Sequence, residues 1–177
     1  MKESEVKKVV RKFFTNQRVK YYPTRGAGPD FLKGDGSAVE TKGSGFDVKR
    51  SLNQFVRYGL TYTRLEIAVP CDTLTAVTLF ALSVIEKSLE ASGRQSVVIY
   101  LVARIGQTTY KIRVYASFRG LYDYVSSRFV EKLCGPADSE LEQRVERSAN
   151  LLGNMNKELS NILEEDTKSI MGFEVIL

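Results

Sequence analysis

The stretch Gly28-Pro29-Asp30-Phe31-Leu32-Lys33-Gly34-Asp35-Gly36-Ser37-Ala38-Val39-Glu40-Thr41-Lys42 decides how the rest of the chain is read. Two short runs, Asp30 to Lys33 and Ser37 to Lys42, flank Gly34-Asp35-Gly36, a turn chemistry that favours a tight β-hairpin. Gly43-Ser44-Gly45 breaks the second strand. Side chains alternate along a strand, so Glu40 and Lys42 share one face of the sheet and Thr41 points away. A three-residue loop sets Lys33 opposite Ser37 and, counting back, Asp30 opposite Glu40, where directly opposed Cβ atoms lie roughly 5 Å apart. Two carboxylates and one ammonium therefore converge on one patch. The competing reading is a surface hairpin on which Glu40 and Lys42 form a same-face ion pair.

Outward from the hairpin, the order is mixed α and β. Val6, Val9, Val10, Phe13 and Phe14 mark one face of a helix from Ser4 to about Asn16. A short strand at Val19 to Tyr22 and a loop from Pro23 to Pro29 follow. Phe46 to Tyr58 reads as a helix with Val48, Leu52, Phe55 and Val56 inward and Gly59 as its terminator. Arg64 to Pro70 is an apolar strand suited to a central position. Thr73 to Ser92 reads as a mostly apolar helix, Ser96 to Ala103 and Thr108 to Ala116 as a second hairpin, and Tyr122 to Leu133 as a further helix. Residues 138 to about 168 carry Leu141, Val145, Leu152, Met155, Leu159 and Ile162 at spacings built from three and four. This predicts one long C-terminal helix whose narrow seam packs on the parent domain or on a twin. Gly172 to Leu177 adds an edge strand or docks as a tail. The expected fold is α/β, a central mixed sheet flanked by helices, with a core over 1–135 and a C-terminal extension over 136–177.

Composition narrows the chemistry. The chain of 177 residues has no histidine and only two cysteines, Cys71 and Cys134, far apart. That removes histidine-ligated zinc, the Ser-His-Asp triad and histidine-base hydrolysis, and leaves no cysteine pair with metal-ligand spacing. The cysteines read as buried small hydrophobes or incidental thiols rather than a disulfide. No apolar run approaches the roughly 20 residues that span a bilayer, and the N-terminus lacks a signal-peptide core. A soluble, cytoplasmic protein is expected, with no membrane partner and no organic cofactor. Lys plus Arg outnumber Asp plus Glu by 14 to 7 over residues 1–70, against 12 to 14 over residues 71–177. The basic segment, which favours a polyanion such as DNA, is the one that holds the carboxylate pair.

Adjacent carboxylates repel unless a cation or proton sits between them. Magnesium, with manganese as a substitute, is the natural guest, because it prefers oxygen ligands and bridges one or two carboxylates to a substrate phosphate. Lys42 would position the attacking water and contact the scissile phosphate.

Gly28-Pro29-Asp30, the ten-residue step, and Val39-Glu40-Thr41-Lys42 resemble the motif of the PD-(D/E)xK nuclease superfamily, which includes restriction endonucleases and archaeal Holliday-junction resolvases. The likeness covers about residues 3 to 70 and is nearest to the resolvase branch in layout. It implies a restriction-endonuclease-like core and a magnesium-dependent DNA endonuclease, structure-specific toward branched DNA. In that family the Asp and Glu bind magnesium, the carbonyl after the Glu adds a ligand and the Lys assists the water. These roles carry over to Asp30, Glu40, Thr41 and Lys42. The resemblance also marks Glu5, as the helical glutamate, and Gln54, on the helix after the motif, as members of the catalytic group, with a solvated acid at the helix N-terminus, interacting with its dipole, as the other reading of Glu5. Arg25, Gly26, Gly28, Lys49, Arg50 and Arg57 are the expected DNA contacts, with a plain flexible loop as the other reading of 25–28. A homodimer follows from the resemblance and from the helical seam. Two alternatives stay open: a catalytically inactive nucleic-acid-binding or assembly module, and an exonuclease or RNA-directed nuclease.

Overall fold

The computed structural model describes residues 1–134, 150, 153–169 and 172–177. Seven strands form one mixed sheet in sequence order: β1 (Tyr21–Pro23), β2 (Phe31–Lys33), β3 (Ala38–Thr41), β4 (Leu65–Pro70), β5 (Val98–Arg104), β6 (Thr109–Tyr115) and β7 (Phe173–Ile176). The central pairs β3–β4 and β4–β5 are parallel, while both flanks are antiparallel. Each parallel step needs a crossover. Those crossovers are α2 (Val48–Thr61), and α3 (Ala76–Ala91) preceded by a 3-10 turn at Cys71–Thr73.

Helix α1 (Glu3–Asn16) covers one face by burying Val6, Val9, Val10, Phe13 and Phe14 against Phe31, Val39, Ala68 and Tyr100. The other face, with Ala38, Leu65, Ile67, Val69 and Ile99, receives α2, α3, α4 (Phe118–Cys134) and α5 (Met155–Lys168). The result is a three-layer arrangement in which β3, β4 and nearly all of β5 are buried on both faces. Among the described residues no helix is long and apolar enough to cross a membrane.

The hairpin register is the one counted from the turn. Phe31 pairs with Val39 and Leu32 with Ala38, and the Lys33 amide donates to Ser37 O at 2.9 Å. Gly36, at φ +84°, takes the left-handed position of the loop, and a Cβ there would meet the Thr63 hydroxyl at 2.6 Å. Gly59, by contrast, does not end its helix. It lies inside α2, where an added Cβ would stand 2.5 Å from Leu89, so its glycine permits α2 and α3 to touch. The inward face of α2 is Val48, Ser51, Phe55 and Tyr58; Leu52, expected inward, is exposed on its flank.

The C-terminal seam is seen only in part, since Leu141, Val145 and Leu152 lie outside the described residues. The expected single long helix is interrupted: Asn154 lies in a turn, its side chain making no capping bond, and the helix described begins at Met155, with Leu159, Ile162 and Leu163 buried against the parent sheet and its helices. β7 pairs with β6 at the sheet edge. Cys71 is a free, buried thiol, pushed by burial up to about 12.

The helical layer is tied to the sheet by one buried carboxylate. Glu86 of α3 accepts from the amides of Val97 (3.0 Å), Phe118 (2.8 Å) and Arg119 (3.0 Å), joining the start of β5 to the first turn of α4. Anions favour helix N-termini, and buried amides need acceptors. Glu86→Ala strands three donors and is expected to cost at least ~3 kcal/mol in urea unfolding, whereas Glu86→Gln, keeping one acceptor oxygen, loses less.

Candidate active site

Beyond the Phe31–Val39 pair the two hairpin strands part. The next ladder position would bond the Thr41 amide to residue 29, but the Pro29 carbonyl accepts from the Thr24 hydroxyl instead. Asp30 supplies the missing acceptor. Its Oδ2 receives the Thr41 amide at 2.9 Å and also the Thr41 hydroxyl, while its Oδ1 lies 2.5 Å from Lys7 Nζ of α1.

Across the gap, Glu40 projects from β3 toward α2 and is only 4% exposed. Its Oε1 accepts from Lys42 Nζ at 2.6 Å and from Gln54 Nε2 at 2.9 Å. Gln54 Oε1 in turn accepts from Lys42 Nζ at 3.2 Å, closing a triangle. The Glu40–Lys42 ion pair is present, yet burial of the strand on both faces rules out the surface-hairpin reading of it. Glu40 Oε2 is buried with no hydrogen-bond partner. Burial holds the Glu40 carboxyl above its ordinary range and the nearby Asp30 charge adds to it, while the Lys42 hydrogen bond and charge and the Asp30 backbone amide oppose it.

Gln54 connects this pair to the loop before the hairpin. Its Nε2 also donates to Tyr58 Oη at 3.1 Å, and the Tyr58 hydroxyl donates to Ala27 O at 3.0 Å. Arg57 reaches the same carbonyl at 3.0 Å while lying over the Tyr58 ring. Arg57, expected at nucleic acid, therefore fastens the loop. Arg25, Lys49 and Arg50 are exposed, the last 3.5 Å from Asp47. Gly26, at φ +75°, and Gly28, packed on Thr24, shape the loop between them.

Glu5 takes a different place from the expected one. Its Oε1 accepts from Tyr110 Oη at 2.5 Å and lies 3.7 Å from Arg104, and the Tyr110 bond leads the causes that hold its carboxyl below the ordinary range. Residues two apart on a helix point about 200° from each other, so Glu5 and Lys7 leave the core face of α1 on opposite flanks. Lys7 is the residue that reaches Asp30, and nothing in its local sequence distinguishes it from the neighbouring lysines.

The donor set suits a hard cation: two carboxylates, one with a buried oxygen lacking any partner. Among the described residues no group of three or more His, Cys, Asp or Glu side chains is placed to hold a metal. Asp30 and Glu40 are two oxygen donors close enough for their charges to interact, and magnesium, which keeps several waters and takes phosphate oxygens as further ligands, needs no more than one or two carboxylates. No family model, curated protein or solved structure matches the chain.

The raised Glu40 pKa fixes the sign of a pH effect. A carboxyl that binds its proton more tightly folded than unfolded makes the fold lose stability as pH rises from about the ordinary 4.5 through the folded value. Urea unfolding of cation-free wild type and Glu40→Gln between pH 4 and pH 8 is expected to show the wild type losing ground to the variant as pH rises, then levelling. A gap moving the other way would mean that the Lys42 attraction outweighs burial.

Proposed function

We infer that this protein is a magnesium-dependent nuclease that hydrolyses DNA phosphodiester bonds, with a restriction-endonuclease-like core over the hairpin, α2 and β4. The observation that carries this reading is the Glu40 oxygen, buried and without a partner beside the Asp30 carboxylate. A purely structural ion pair has no need of such an atom, since leaving a buried acceptor unsatisfied costs about 1–3 kcal/mol. A cation between Glu40 and Asp30 satisfies it and removes their repulsion.

Asp30 and Glu40 would hold the ion, with Thr41 adjoining both. When bound, magnesium neutralises charge on phosphate oxygens and lowers the pKa of water. Lys42 is held by Glu40 and Gln54 with its ammonium at the site, where it orients the attacking water and meets developing negative charge on the phosphate. Gln54 keeps that ammonium from folding away, and is a positioning residue rather than a catalytic one. Lys7, Lys49, Arg50 and the Arg25 loop supply positive charge to the flanking phosphates. Branched DNA is the substrate we favour, on the layout of the hairpin and its preceding loop.

A cleavage panel of single strands, flaps, duplexes and four-way junctions, with and without magnesium, tests the activity. Asp30→Asn, Glu40→Gln and Lys42→Met are each expected to lower the rate by about 10²-fold or more while leaving DNA retention in gel shifts. Undiminished cutting by any of the three would sink the assignment. Retention of DNA with no cleavage and no calorimetric metal binding would instead favour the inactive binding module.

The link through Tyr58 carries a separate expectation. Tyr58→Phe keeps the buried ring and removes the hydroxyl that joins Gln54 to Ala27. It should lower kcat by about tenfold, a hydrogen bond's worth, with little change in unfolding midpoint; a loss confined to KM would place the hydroxyl in substrate binding instead.

A further inference from the structure

The two carboxylates of the site each carry a lysine, and the two lysines are held very differently. Lys42 lies deep, with 13% of its side chain exposed, bonded to both Glu40 and Gln54 and set over the Phe55 ring. Lys7 has 35% of its side chain exposed, and Asp30 is the one group that holds its ammonium among the described residues. Asp30 and Glu40 with Lys7 and Lys42 thus make a quartet of balanced charge. A divalent cation entering it would leave two ammonium groups facing two further positive charges. Like charges at such range repel, and of the two lysines only Lys7 can leave without breaking a second bond.

We propose that Lys7 is the built-in counter-ion of Asp30 in the cation-free protein, and that a divalent cation binds by displacing it. The inference rests on the reading of Asp30 and Glu40 as a cation-holding pair and adds how that pair is kept stable when empty. Lys7 occupies Asp30 Oδ1 while Oδ2 stays with the Thr41 amide and hydroxyl, so its departure frees one oxygen without loosening the strand end. The released side chain stays on the first turns of α1, beside the site, where its charge favours a phosphodiester over a neutral ligand. Cation entry and phosphate attraction are coupled through a single side chain.

The competition predicts opposite signs for two measurements on one variant. Titrating manganese into the full chain without DNA, by calorimetry, Lys7→Met is expected to bind the ion about threefold or more tightly than wild type, the gain from deleting a part-exposed competing ion pair. In cation-free buffer the same variant should unfold at lower urea, because Asp30 and Glu40 then repel with one counter-ion missing. Lys7→Gln repeats the test with a polar side chain, and Lys7→Arg, which keeps the charge, should bind manganese as wild type does. A lysine with only a packing role would leave manganese affinity unchanged or weaken it in Lys7→Met and Lys7→Gln, and either result overturns the proposal. Glu40→Gln separates the two levels. If manganese binding by the wild type does not depend on Glu40, the nuclease reading itself falls and this inference falls with it. If it does depend on Glu40 while the Lys7 variants bind no tighter, only the inference is lost.

Discussion

A charged side chain sits on a strand that is buried on both faces, and the layout around it follows from that. β3 is paired on both edges, antiparallel to β2 and parallel to β4, and its four residues are all buried, Glu40 and Thr41 among them. An isolated carboxylate in such a place is expensive. The compensation comes from two directions, Lys42 just past the end of the same strand and Gln54 from the crossover helix that β3 feeds, while the charge of Asp30 works against it. The parallel β3–β4 step is what makes this possible. It requires a crossover, and that crossover lays α2 across the face on which Glu40 projects.

Comparison of the buried glutamates shows why this one stands apart. Glu86 shares its oxygens among three backbone amides. Glu66 places one oxygen 2.8 Å from Lys33 and the other 2.5 Å from Tyr100 Oη, whose phenol is raised chiefly by burial and then by the Glu66 charge. Both are finished networks, fully partnered within the chain, and such networks serve structure. Glu40 alone among the buried carboxylates described here keeps an oxygen with no donor. The same fold satisfies two buried acids and leaves the third with an acceptor that makes no hydrogen bond, close to the charge of a second carboxylate.

Much of this was written locally in the sequence. The Gly34-Asp35-Gly36 turn and strand alternation suffice to set Phe31 opposite Val39 and Lys42 beside Glu40, because both rules depend only on neighbours along the chain, but not to show that the pairing ends before Asp30, whose carboxylate turns to Thr41, the residue expected to point away. Gln54, which bonds both Glu40 and Lys42, was marked by the resemblance and by no local rule. Lys7 was not legible, because the flank of α1 that meets Asp30 depends on the direction in which the helix crosses the sheet. The same helical phase that turns Lys7 toward Asp30 turns Glu5 toward Tyr110, a residue 105 positions away. Gly59 misled for a related reason: as a terminator it is a local signal, whereas its role is contact with Leu89 on another helix. The seam of residues 138–168 predicts a helix, and the described portion turns it inward onto the parent sheet, a choice that a heptad-like spacing leaves open.

The hairpin's opened end ties the loop at 24–29 to the chemistry. Because Pro29 O is given to Thr24 and the Thr41 amide to Asp30, the strands are held apart by side chains rather than by the ladder. The loop then has to be secured elsewhere, and Ala27 O, taken by Arg57 and Tyr58, is where that happens. Tyr58 is shared with Gln54, and Gln54 with Lys42 and Glu40. The exposed loop and the Lys42 ammonium are in this way joined by a short, part-buried chain of hydrogen bonds through Gln54 and Tyr58 of α2.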